Sequence, residues 1–139
     1  MKNIKLFYLY TARVLGTLYV EFPISVVTKA ECVISRDHDE MHHGEPIEYV
    51  VFEETLRWLN KTGYIFYEHE KEKMFFGLTL TEKGLALMNV IPTSIETTSS
   101  YGDNIVKMLD KGNKKQVRKL VASILSDGAK IFPNCLEES

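Results

Sequence analysis

A mainly α fold with one small β-hairpin, an α+β arrangement, is predicted by three observations within residues 46–92. Tyr49, Phe52, Leu56 and Leu59 recur at the three-and-four spacing of one helix face, and Gly63 stands where a left-handed residue would stop that helix. After Gly63 the period changes to two. Tyr64 and Phe66 share one face of a strand, Met74, Phe76 and Leu78 share a face of the next, and Glu68 to Lys73 forms the polar tip between them. Thr81 then caps a short helix that turns Leu85 and Met88 inward and ends before Pro92. Pro46 suits the first turn of the long helix, where its missing N–H has no intrahelical acceptor to lose.

The flanking elements follow from similar patterns. Between Ile4 and Phe22, one face collects Ile4, Phe7, Tyr8, Thr11, Val14, Leu15, Leu18 and Phe22, a helix of several turns stopped by Pro23. Ser25 can cap a shorter helix carrying Val26, Val27, Ala30, Val33 and Ile34, although these β-branched residues suit a strand nearly as well. Ser35 to Glu45 is charged, lacks an apolar period and contains Gly44, so it reads as an exposed loop. Thr93 to Ser100 is a Ser/Thr-rich link. Beyond it, Ile105, Met108 and Leu109 mark one helix, Gly112 and Asn113 interrupt, and Val117, Leu120, Val121, Ile124 and Leu125 form the stripe of another. This divides the chain into a domain over 1–92, a linker over 93–100 and a C-terminal helical extension over 101–139. The stripe can fold back on the first helix or pair with its copy in a homodimer, and the second is the expected interface.

The composition suits one core: 139 residues, 45% of them hydrophobic. No run is long and apolar enough to span a membrane, and Met1 to Lys5 does not lead into a signal-peptide pattern, so a cytoplasmic protein without membrane contact is expected. Cys32 and Cys135 are the only cysteines. They form neither a metal-type spacing nor a disulfide framework and read as free thiols, the first of them buried. The formal net charge of -2 argues against coating a polyanion by bulk electrostatics. Its distribution is uneven: eleven acids face four bases between Glu31 and Glu72, while seven bases face three acids between Ser99 and Lys130.

The order helix, short helix, helix, two-stranded wing, helix resembles the winged helix-turn-helix superfamily. The likeness is carried by Phe52 to Leu59 leading to Gly63-Tyr64-Ile65, and by Leu78-Thr79-Leu80-Thr81-Glu82-Lys83-Gly84 after the wing. It covers roughly residues 4 to 92, and it implies that Pro46 to Thr62 is a recognition helix and Glu68 to Lys73 a wing tip. The superfamily includes DNA-binding regulators and protein-binding modules. As a regulator of transcription, the chain would contact double-stranded DNA through Arg57, Lys61, Lys71 and Lys73 at phosphates and through Glu53, Glu54 and Asn60 at bases. As an interaction module, the same residues would meet a protein partner. Glu48, Glu53 and Glu54 on the helix, and three glutamates on the wing tip, depart from the positive face that DNA favours.

Other residues invite chemistry and are read more simply. Trp58, Tyr64 and Phe66 sit at helix and strand spacing and are taken as core. Lys111, Lys114, Lys115, Arg118 and Lys119 form the one concentrated positive stretch, a solvated face, a phosphate contact or an intersubunit contact with the acidic middle of another copy. His38 and His42 stand four apart with Asp39 after the first, like a zinc-hydrolase helix with Asp in place of Glu. The segment has no apolar period to make it a buried helix, so no metal is expected there. Neither a nucleophile elbow nor a glycine-rich phosphate loop occurs, so catalytic residues, cofactors and enzymatic activity are not expected.

Overall fold

A computed structural model describes residues 2–34, 41–92 and 99–132. Helix α1 (Lys2–Glu21) is the element on which the others converge: α3 (Ile47–Lys61), α4 (Glu82–Met88), α5 (Tyr101–Lys111) and α6 (Lys114–Ile131) all pack against it. Its buried residues are therefore Tyr10, Thr11, Ala12, Val14, Leu15, Gly16 and Leu18, a nearly continuous run instead of the single stripe that the spacing predicts. Ile4 and Phe22, expected on that stripe, are exposed at the two ends of the helix. Gly16 lets α5 approach, since a Cβ there would stand 2.9 Å from Ile105 Cγ2 and Leu109 Cδ1. Gly102 answers it from α5, lying against the ring of Tyr19.

The segment after α1 divides between both readings of its sequence. Val26–Thr28 forms strand β1, consistent with three β-branched side chains in a row, and Ala30–Val33 forms one helical turn, α2. Met41–His42 (β2) and Glu45–Pro46 (β3) pair in a two-residue hairpin turned by His43 and Gly44 at positive φ. That pairing corrects the expected loop over 35–45 at its C-terminal end; residues 35–40 lie outside the described residues.

Helix α3 ends where Gly63 was expected to stop it. Gly63, at φ 88°, donates to the Asn60 carbonyl, and Tyr64 donates to the Leu59 carbonyl, the paired bonds of a Schellman stop. Ile65–Phe66 (β4) and His69–Lys71 (β5) both pair with Met74–Leu80 (β6), which takes β1 on its other side, so the sheet is antiparallel. The polar tip is shorter than expected, a two-residue turn of Glu72 and Lys73 at positive φ, with Lys71 paired to Met74. Strand β6 also breaks its alternation. Val26 faces Leu78 and Thr28 faces Phe75, so one extra residue is accommodated near Gly77, whose φ is 71°. Phe75, Leu78 and Leu80 are consequently the buried residues, not the predicted set of Met74, Phe76 and Leu78.

The turn from Thr81 to Gly84 locks α4 onto the end of α3. Thr81 Oγ1 accepts from the Gly84 N–H at 3.0 Å and donates to the Gly63 carbonyl at 2.5 Å. Lys83 Nζ donates to the Thr62 carbonyl at 2.7 Å and lies 4.3 Å from the Tyr64 ring centroid. Gly84 packs on backbone: a Cβ there would be 2.0 Å from the Tyr64 carbonyl oxygen. The turn Leu80-Thr81-Glu82-Lys83-Gly84 is thus a packing device.

The C-terminal helices complete the same core. Ser100 caps α5, Asn113 caps α6, and the Tyr101 hydroxyl donates to Asp127, tying the start of one helix to the end of the other. Val117, Leu120, Val121 and Ile124 are buried in a cluster shared with α1, α3 and the sheet, and Leu125 packs at its margin. The expected oligomer interface is therefore corrected: that stripe is covered by its own chain, because α1 presents apolar side chains on its back as well as its front. The expected boundary at 93–100 does not separate two cores for the same reason. Cys32 is exposed, not buried, on the single turn of α2; Cys135 is outside the described residues.

Candidate partner interface

The outward arc of α3 carries Glu54, Trp58 and Lys61, with Arg57 and Asn60 half-buried beside it. The hairpin β5–β6 flanks this arc and determines what its charges do. Arg57 lies over the Phe75 ring at 5.7 Å and is held at three points. Its Nε and Nη2 donate to the two carboxylate oxygens of Glu70, at 3.0 and 2.5 Å, and Nη1 donates to Glu54 at 2.7 Å. These carboxylates, Glu70 foremost, raise the guanidinium pKa still further, so its charge is permanent but engaged.

A second engaged cation sits at the hairpin tip. Lys73 Nζ bonds Glu45 Oε2 at 2.6 Å, joining the tip to the short hairpin that precedes α3. The Glu45 carboxylate also pairs with Glu53, which is only 4% exposed on the second turn of α3. Burial, then the hydrogen bond and charge of Glu45, push the Glu53 carboxyl up to about 8, so it carries the proton of the pair. Burial pushes Glu45 up as well, but the hydrogen bonds from Glu53 and Lys73 outweigh it and hold Glu45 below the usual carboxylate range. Lys73 is raised chiefly by its hydrogen bond to Glu45.

This pair gives folding a pH dependence of definite sign. The folded chain keeps a proton on Glu53 that the unfolded chain releases above about 4.5, so stability contributed here falls as pH rises from about 4.5 to about 8, then levels off. Glu53→Gln keeps a donor for Glu45 and has no proton to lose. Its urea midpoint is expected to overtake that of the parent chain as pH rises through this window. Parallel curves for the two proteins would show that Glu53 is ionised in the fold.

Of the residues expected to meet a partner, Glu53 is therefore buried, Arg57 and Lys73 are engaged within the chain, and Glu54 is exposed but holds Arg57. Lys61 and Lys71 are exposed and make no ion pair among the described residues. Sequence reasoning missed Glu45 and Glu70, because nothing local marks a carboxylate 13 or 28 residues away as a partner. It also misplaced two aromatics. Trp58 is 40% exposed at the border of the buried arc, packed edge-on against Phe7 of α1 with ring centroids 5.2 Å apart. Phe66 is 53% exposed on the outer face of β4, while Tyr64 is core as expected. Phe7 and the exposed Ile4 one turn earlier extend an apolar ridge from Trp58.

The remaining sites offer less. His42 and His43 stack edge-on in the β2–β3 turn, while His38 and Asp39 lie outside the described residues. Among the described residues no three His, Cys, Asp or Glu side chains gather as metal ligands. A cleft of about 570 Å³ beside α1 is lined by Leu6, Leu9, Tyr10, Met108 and Leu109, with Arg13 and Lys114. Arg13 is committed there to the Val33 carbonyl at 2.9 Å. No described helix is long and apolar enough to cross a membrane. The chain matches no family model, no curated protein and no solved structure.

Proposed function

We propose that this chain is a non-enzymatic interaction module built on a winged helix-turn-helix, with α3 and the β5–β6 hairpin as the surface that meets a protein partner. The order of elements supports the winged-helix reading. A helix, a strand, a short turn of helix, a long helix and a hairpin follow one another, and the hairpin's last strand takes the first strand at its free side.

The observation that carries the protein-binding reading is the engagement of Arg57 by Glu70 and Glu54, together with that of Lys73 by Glu45. For Arg57 to reach a phosphate it must leave two carboxylates, which would then face that phosphate with like charge. A protein partner asks for no such exchange. It can bury the ridge of Ile4, Phe7 and Trp58, with tryptophan the residue type most enriched where binding energy concentrates.

A second reading, a sequence-specific DNA-binding regulator acting through the same face, is favoured by Lys61 and Lys71, which are exposed and make no ion pair among the described residues. A photoreactive amino acid in place of Trp58 is expected to crosslink to protein in cells producing the chain. A crosslink to nucleic acid at that position, with loss of duplex binding in Lys61→Glu/Lys71→Glu, would establish the second reading instead.

A further inference from the structure

We infer that the solvent face of α6, with the last turn of α5, is a separate surface that binds the phosphate backbone of duplex nucleic acid. Residues 104–126 hold six cations, Lys107, Lys111, Lys114, Lys115, Arg118 and Lys119, against the single acid Asp110. Lys111, Lys114, Lys115 and Lys119 are exposed and Arg118 is half-buried. None of these five makes an ion pair among the described residues, in contrast to Arg57 and Lys73. The nearest acids beyond Asp110 are engaged, Asp103 accepting from the Tyr19 hydroxyl and Asp127 from that of Tyr101.

The placement is unfavourable for the free protein. Four of the cations stand in the first two turns of α6, which has no acid in its first turn, so they add to the positive end of the helix dipole instead of offsetting it. A polyanion removes that repulsion. The stripe of Val117, Leu120, Val121 and Ile124 fixes which way the cations point, because burying it against the core turns Lys115 and Lys119 to solvent.

The residues between the cations select the kind of polyanion. Gln116, Ala122, Ser126 and Ala129 are the exposed neighbours along this face. They include no large apolar side chain to enter a bilayer and no aromatic ring on which an unpaired base could stack. What remains is contact with phosphates at regular spacing along a duplex, with no reading of sequence.

Fluorescence anisotropy of a labelled random duplex tests the assignment, with equal-part phosphatidylserine and phosphatidylcholine vesicles as the competing surface. If about four phosphates are neutralised, affinity should fall about a hundredfold between about 50 and 200 mM salt. Lys115→Glu/Lys119→Glu should weaken binding at least about tenfold at the lower salt and flatten the salt slope by about two. Both positions are exposed and the new acids favour the start of α6, so the melting temperature of this variant should not fall. Lys61→Glu/Lys71→Glu should leave duplex binding unchanged, which separates this surface from the α3 face. Absence of duplex binding at low salt, binding that survives the α6 reversal, or capture by vesicles in preference to duplex would each overturn the inference.

Discussion

Gly84→Ala is expected to destabilise the chain by about 3 kcal/mol or more, lowering its melting temperature by roughly 10 °C. The methyl group would stand 2.0 Å from the Tyr64 carbonyl oxygen and 3.3 Å from Leu80 Cδ2. The first of these is backbone, anchored by the Schellman stop of α3 and by the pairing of Ile65 with Leu80, so it has no rotamer to which it can retreat. Relief requires α4 to lift, and lifting it breaks the bonds from Thr81 to Gly63 and from Lys83 to Thr62. Chemical denaturation of the variant beside the parent chain measures the loss. A change within about 0.5 kcal/mol, the usual range for surface substitutions, would mean that α4 does not rest on this carbonyl.

Leu120→Asp is expected to abolish cooperative folding, with a cost above about 4 kcal/mol. Leu120 is 2% exposed in the core that α6 forms with α1, where a carboxylate has no described cation within that apolar cluster to pair with. The substitution removes the packing of a leucine and leaves a charge that must take up a proton to remain buried. Circular dichroism and sedimentation velocity together read the outcome. Loss of structure is the expected outcome; a folded variant that merely dissociates from a dimer to a monomer would place the stripe between subunits after all.

The parts of this fold that are legible in the sequence are those fixed by local chemistry. The apolar period of α3, its glycine stop, and Thr81 at the start of α4 each depend on residues within a few positions of one another, and all three appear where the spacing puts them. What was not legible depends on distant partners. The broad burial of α1, broken only by Arg13 and Thr17 between Tyr10 and Leu18, follows from α5 and α6 closing its back, and a single-face period cannot announce two neighbours. The extra residue near Gly77 reverses which side of β6 is inward, and one glycine in a strand does not say whether it marks a bulge. Trp58 and Phe66 have the composition of core but lie at the edges of their elements' buried arcs.

The candidate surface was legible in its residues and not in its electrostatics. Counting Arg57, Lys61, Lys71 and Lys73 gives four cations for phosphate; placing Glu70 and Glu45 beside two of them leaves Lys61 and Lys71. The same placement explains an otherwise odd acid content: Glu45 and Glu70 hold the hairpins and α3 in one arrangement by bridging them, and Glu54 braces Arg57 from within α3. On α6 the opposite holds, with cations that nothing in the described chain answers.

Arg57 of α3 and Lys73 of the hairpin are engaged internally, whereas Lys111, Lys114, Lys115, Arg118 and Lys119 make no ion pair among the described residues and are the cations proposed to meet a polyanion. Amide chemical-shift mapping of the full chain, titrated with a random duplex at low salt, tests this contrast most directly. The predicted result is a continuous set of perturbed amides from Lys111 to Ala122, with Glu54 to Lys61 and His69 to Lys73 unmoved. Perturbations centred on Arg57, Lys61 and the hairpin tip, with α6 silent, would contradict it.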